Sequence, residues 1–334
     1  MQRKLLQIVG FIVILTVSLG FIGNPYLPAL NIDIQHISHI SQTVSKQQDS
    51  LYQEIVEKSD EYKIPAQDAE IHKVWKATPG YNGIEIDIEE SYERMKKKGV
   101  FDEKLLIYRQ VKPKKHLDDL PAEPIYRGHP DKPMVSFLIN VAWGNEYIPE
   151  MLDTLNKYHV KATFFLEGRW VKENPEIAKM IVDAGHEIGN HSYTHPDMSK
   201  LSTEKIREQI QKTNEVIKSI TDVSPTWFAP PSGSFRDDVV KIADEYHMKT
   251  VMWSVDTIDW QKPAPHVLVQ RVMDKVHNGA IILMHPTSPT AQSLETLILS
   301  IKKKGYSFGS ISMLMDEERL FDGQMMKTKK DSGN

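Results

Sequence analysis

An α/β fold, with a parallel sheet or barrel dressed by helices, is predicted from three observations. Six to seven strand–helix repeats run from Met134 to Ile311. The chain has 334 residues, enough for a large core and more than one module. His191 and His195 follow the short strand Glu187–Gly189, at the strand end where barrel enzymes carry their chemistry.

Composition narrows the field. A formal net charge of −4 gives no reason to expect a nucleic-acid partner. There is no cysteine, which excludes disulfides and thiolate metal sites. Any metal must be held by His, Asp or Glu.

In chain order, Arg3 and Lys4 precede an almost wholly apolar run, Leu5 to Ile22. Residues 1–23 are therefore expected to be a signal anchor or signal peptide. An uncleaved anchor is favoured, with the positive end inside and the rest extracytoplasmic. Residues 24–59 form a polar linker with two prolines, partly helical from Gln42 to Lys58. Residues 60–129 are expected to be a small α+β module. There Ile84, Ile86 and Ile88 alternate with acids as in a strand. Glu89 to Lys98 reads as a helix stopped by Gly99, and Leu105 to Val111 as a second strand. Five prolines between Lys112 and Pro133 mark the boundary before the main domain, 130–318; residues 319–334 are a polar tail.

In the main domain the expected strands are Met134–Val141, Lys161–Leu166, Glu187–Gly189, Thr226–Ala229, Lys249–Trp253, Ala280–Met284 and Tyr306–Ile311. The helices between them are Tyr147–Tyr158, Pro175–Ala184, Ser202–Thr221, Arg236–Tyr246, His266–His277 and Ser293–Lys304. Ser202 or Thr203 is the N-cap of the longest helix.

His191-Ser-Tyr-Thr-His195 is the stretch around which chemistry would gather. Histidines four apart would share one face of a helical turn and could reach one metal ion. An isolated pair of this kind is more often a surface or capping pair, so the flanking motifs decide. Their order resembles the polysaccharide deacetylases of the NodB-homology family, carbohydrate esterase family 4, over Met134 to Glu317. The motifs are Lys161-Ala-Thr-Phe-Phe-Leu166, the histidine stretch, Phe228-Ala-Pro-Pro-Ser-Gly233, Trp253-Ser-Val-Asp-Thr-Ile-Asp-Trp260 and Ile282-Leu-Met-His285. The first motif, Phe137-Leu-Ile-Asn-Val-Ala-Trp-Gly144, is most similar to the sporulation-associated subgroup.

The resemblance implies a distorted (β/α)7 barrel that removes acetyl groups from amino sugars. It implies His191 and His195 as metal ligands, His285 as general acid and Asp256 as its partner. It places Trp260, Pro230 and Pro231 at the substrate. Zn²⁺ or another divalent metal would be the cofactor, and a peptidoglycan-like or other N-acetylated polysaccharide the partner. The cell membrane and spore envelope would be the location.

Three family positions are altered. Asn140 stands at the base position, Val141 at the third ligand position, and Ala229 at the arginine position. An amide does not accept a proton as a carboxylate does, and valine has no ligand atom. Losing the carboxylate alone would leave the arginine an unpaired buried charge, at about 3–5 kcal/mol. Joint loss is the lower-cost state. Loss of a general base costs about 10²–10⁴ in rate, and the metal site is weakened. Three readings stay open: an envelope protein with little or no hydrolase activity, an active deacetylase using Glu146, Asp197 or Glu167 as substitute carboxylate, or a structural envelope protein.

Overall fold

The computed structural model describes residues 49–320. The expected leader, most of the linker and the tail beyond residue 320 lie outside the described residues. Among the described residues, no helix is long and apolar enough to cross a membrane. The described chain forms two units: residues 49–58 with Ile88–Leu106, and Ser59–Asp87 with residues 107–320.

The first unit holds most of α1 (Ser50–Ser59) and all of α2 (Ile88–Met95). Leu51, Ile55 and Met95 are buried. The Tyr52 and Tyr92 rings meet edge to face at 5.6 Å. Each hydroxyl finds a carboxylate, Tyr92 donating to Asp49 Oδ2 at 2.9 Å and Tyr52 to Glu89 Oε1 at 2.8 Å. Buried or half-buried tyrosines require such partners.

The second unit begins with two short antiparallel pairs. These are β1 (Glu70–His72) with β2 (Lys76–Thr78), and β3 (Gly83–Ile86) with β4 (Tyr108–Val111). The alternation expected at Ile84 and Ile86 holds, since both are buried while Glu85 faces Arg109 across the pair. The strand stops at Ile86 because Ile88 already opens α2, where Glu89 and Glu90 sit in the first turn, favourably placed against the helix dipole. The span 60–129, expected as one module, is thus divided between the two units. Two-stranded pairs this short bury too little to stand alone. Accordingly Ala69, Ala77, Leu120 and Ile125 join an apolar cluster with Leu138, Phe165 and Val251 of the main sheet.

That sheet contains β5 (Met134–Val141), β6 (Thr163–Leu166), β7 (Glu187–Asn190), β8 (Trp227–Phe228), β9 (Lys249–Thr250), β10 (Val255–Asp256), β11 (Ile281–Met284) and β12 (Ser307–Phe308). Its order is β10-β11-β5-β6-β7-β8-β9, all parallel, with β12 pairing beside the start of β5. The helices are α3 (Ile148–Lys157), α4 (Gly168–Glu173), α5 (Pro175–Asp183), α6 (Thr203–Thr221), α7 (Asp237–Glu245), α8 (Pro265–Met273), α9 (Ser288–Lys303) and α10 (Ile311–Met315). The last expected strand therefore ends at Phe308, and Ile311 opens α10 under a Ser310 cap. The expected Lys249–Trp253 strand is cut to two residues, and β10 and α4 are additions. Ser202 caps α6 as expected, accepting from Lys205 N. The last long helix starts five residues early, because Thr287 caps it and Pro289 fits its first turn.

The twofold alternation of strand side chains sorts the core into two layers. Val135, Phe137, Ile139 and Val141 face the helices, together with Phe164, Leu166, Ile282 and Met284. Met134, Leu138, Phe165, Ile281 and Leu283 face inward, closed over by Ile311, Leu314 and Met315. Such fully buried side chains each contribute about 1.5–3 kcal/mol. The result is an α/β architecture with a curled parallel sheet. It also decides that Asn140, in step with Leu138, points inward while Val141 points outward.

Candidate active site

A cleft of about 420 Å³ opens at the C-terminal ends of the curled strands. Its wall brings together Asn140 near the end of β5, His191 and His195 after β7, Ser232 after β8, Asp256 at β10 and His285 after β11. Trp143, Trp253 and Trp260 complete much of the rest. This is the end of a parallel sheet where ligands bind.

The two histidines do not lie on a helical turn. Ser192 and His195 have φ of 63° and 55°, so the segment is an irregular loop. Polar side chains hold it in that form. Asn190 Oδ1 accepts from Ser192 N at 2.8 Å, while its amide donates to Ile210 O and Asn214 Oδ1 on α6. Gln209, also on α6, accepts from both Tyr193 N and Thr194 N at 2.9 Å. His195 N donates to Ser192 Oγ at 3.1 Å. The loop thus brings the two imidazoles to a centroid distance of 5.0 Å at 69°.

His191 is buried, and its Nδ1 donates to the Ala229 carbonyl at 2.7 Å. That bond fixes the tautomer and leaves Nε2 as a lone-pair nitrogen. Burial, with the neighbouring His195 second, pushes the His191 pKa down to about 3, so the ring is neutral near pH 7. Burial also lowers that of His195.

The altered positions are distributed by the strand geometry. Asn140 is 3% exposed, and its Oδ1 has no hydrogen-bond partner. Val141 lies with the helices in the outer apolar layer, away from the cleft wall. Ala229 is buried in the inner cluster, its side chain too short to reach out. What remains for a metal is two imidazoles. Among the described residues no group of three or more His, Asp or Glu side chains is placed to hold a metal ion. A catalytic zinc takes three protein ligands, so the residues present do not fit that centre.

The other half of the cleft is intact but differs in one residue from the sequence reading. His285 Nδ1 donates to Asp259 Oδ1 at 2.8 Å, and His285 N donates to Asp259 Oδ2 at 2.6 Å. Thr290 Oγ1 donates to the same Oδ2 at 2.6 Å. Asp259, fully buried, is therefore the carboxylate that orients His285. Asp256 instead lines the cleft, with its Oδ1 accepting from Ile258 N at 2.7 Å. The left-handed turn at Ile258, φ 52°, carries Asp259 under the histidine. The Asp-Thr-Ile-Asp spacing offers both acids, and only the turn selects between them.

Trp143, not singled out from sequence, stacks on His285 at 5.7 Å and 10° and is 46% exposed. Gly144 permits this approach. It has φ +85°, and a Cβ there would lie 2.0 Å from the Pro286 carbonyl oxygen. Trp260 stands on the rim at 55% exposure. Pro230 and Pro231 are buried behind the wall, and it is Ser232, with φ 55°, that lines the cleft.

None of the three substitute carboxylates lines the cleft. Glu146 is exposed in the turn after Gly144. Asp197 accepts from Ser234, Ser199 and Lys200, bonds that hold its carboxyl far below the usual range and make it a poor base. Glu167 caps α4 through Trp170 N at 2.8 Å, and burial raises its pKa.

A sequence profile described as polysaccharide deacetylase matches residues 127–251. The chain is 56% identical over 324 residues to the uncharacterized protein YlxY of Bacillus subtilis strain 168, covering 96% of this chain and 99% of that protein. It is 33% identical over 203 residues to the peptidoglycan-N-acetylmuramic acid deacetylase PdaA of the same strain, covering 59% and 77%. The crystal structure of BA3943 from Bacillus anthracis, described as a CE4 family pseudoenzyme, matches at a TM-score of 0.76 and 60% identity, over 82% of this chain and 97% of that one. A BA3943 mutant described as having restored enzymatic activity matches at the same TM-score and 58% identity, over 81% and 100%. With the profile match and a deacetylase relative of 33% identity covered over 77% of its length, this chain belongs to the polysaccharide deacetylase family.

Proposed function

We propose that this protein binds an amino-sugar glycan of the cell or spore envelope and has little or no N-deacetylase activity of its own. The observation that carries the reading is Asn140. It occupies the base position inside the cleft, buried, with no hydrogen-bond partner for its Oδ1. An amide oxygen there cannot take a proton from water. His285 keeps its carboxylate partner and could still donate a proton to a leaving amine, but no base prepares the nucleophile for that step.

Two likenesses support the reading. A protein 60% identical is described as a pseudoenzyme of this family. A relative 33% identical is a deacetylase of peptidoglycan, which makes a peptidoglycan-like polymer the glycan of choice. On this reading the curled sheet is a distorted (β/α)7 barrel. The leader expected at Leu5 to Ile22 would hold it at the outer face of the membrane. The two remaining metal histidines would bind Zn²⁺ or another divalent metal weakly.

The test uses the full chain in detergent, with acetate release measured on N-acetylated peptidoglycan fragments and chitin oligomers, and with bound zinc determined in parallel. The expected outcome is sub-stoichiometric zinc and acetate release at least about 10² below an active family member. Zinc-dependent release at the rate of an active member would overturn the reading.

A further inference from the structure

The cleft pairs a carboxylate with exposed indole rings. His191 Nδ1 is used on the Ala229 carbonyl, so Nε2 is left as an acceptor. Asp256 lines the same cleft, and only its Oδ1 takes a hydrogen bond, from Ile258 N. That bond fixes the direction of the carboxylate, and among the described residues no hydrogen bond to Oδ2 is formed and no lysine or arginine lines the cleft. Exposed indole faces stand at its edge, on Trp143 and Trp260.

An N-acetylated sugar brings no positive charge to set against this carboxylate. A free amino sugar in its cationic form brings three N–H donors and a positive charge. A carboxylate and indole faces both recognise such a group, by charge-assisted hydrogen bonds and by cation–π attraction.

Building on the reading that the cleft binds glycan, we infer that its ligand is the de-N-acetylated form: a glucosamine-type residue whose ammonium sits between Asp256 and the tryptophans. The protein would then recognise what the reaction class of its own family makes. It would be a reader of glycan already processed by an active deacetylase.

The test titrates the full chain in detergent, near neutral pH and with a chelator present to remove divalent metal, following tryptophan fluorescence. Glucosamine tetramer and N-acetylglucosamine tetramer are compared. The expected result is that the free-amine tetramer binds tighter by about tenfold. Asp256→Asn should erase that preference. Its amide oxygen can still accept from Ile258 N, so the fold is retained. Trp260→Ala, at an exposed site, should weaken the free-amine tetramer more than the acetylated one. Equal or tighter binding of the acetylated tetramer would overturn the inference while leaving the glycan-binding reading in place. Binding of neither tetramer would overturn both. A preference that survives Asp256→Asn would mean diffuse attraction to an acidic protein, and would also overturn it.

Discussion

The two halves of the cleft differ in how completely their polar groups are paired. On the His285 side, Asp259 accepts three hydrogen bonds, from the imidazole, from the His285 backbone and from Thr290. On the other side, Asn140 Oδ1 accepts none, Val141 has turned into the outer layer and Ala229 is filler. The difference teaches that a carboxylate is held firmly where it also satisfies the fold, while the amide and alkyl groups opposite carry no such duty. Asp259 is needed to satisfy the start of α9 and the end of β11 whether or not any chemistry occurs. A base and its arginine are a closed pair that can leave together.

The comparison breaks first at Asp259. Asp259→Ala would leave three donors unpaired in a buried site, and urea unfolding should show a loss of about 3–5 kcal/mol. A loss under about 1 kcal/mol would mean that the acid half is dispensable to the fold, and the contrast would fail.

The second prediction concerns pH. The folded-state pKa of His191 is about 3, below its ordinary value, so the unfolded chain binds the proton first. Stability contributed by keeping this ring neutral is fully present above about pH 6.5 and is lost as pH falls toward 3. His129 and His186, each pushed down to about 4 by burial, act in the same direction. Between pH 6.5 and 4 the wild type should lose roughly 3 kcal/mol more than His191→Gln does. Parallel curves for the two proteins would show that the histidine is not held neutral by the fold.

Repair sharpens the contrast in activity. Asn140→Asp alone should raise acetate release by less than about tenfold, since the third ligand and the arginine are still missing. Adding Val141→Asp and Ala229→Arg should do more, at a stability cost. In this fold Val141 is fully buried against the helices, and an acid there is penalised until a metal draws it round. Full activity from the single change would show that the losses were never coupled. The smallest effect is expected for Asn140→Leu, which removes an unpaired amide from a buried site. It should be neutral or stabilising by about 1 kcal/mol in thermal or urea unfolding.

Much of this was legible in the residues. The run of β–α repeats foretold the parallel sheet, because a parallel sheet needs a helical crossover after each strand. The altered positions Asn140, Val141 and Ala229 were visible only through the family resemblance, whose pattern expects two carboxylates and an arginine there. The choice of Asp259 over Asp256 was not legible, because it depends on a left-handed turn at Ile258, a β-branched residue that rarely adopts one. Nor were Gln209 and Trp143. Both are near neighbours of the site only through long-range packing, Gln209 across from α6 and Trp143 through the contact of Gly144 with Pro286.

The division of residues 60–129 was hidden for a related reason. Local alternation marks a strand, but it does not say which core receives its apolar face. Ala77 and Ile125 are buried against residues that follow them by more than a hundred positions. By itself, then, the amino-acid order determined which donors, acceptors and charges are available, since each side chain carries them wherever it is placed. Only the tertiary structure decided what the remaining groups can hold. Hydrogen bonding and burial depend on neighbours brought together by the fold, and a short shift in one loop exchanges which carboxylate touches the histidine and which faces the ligand.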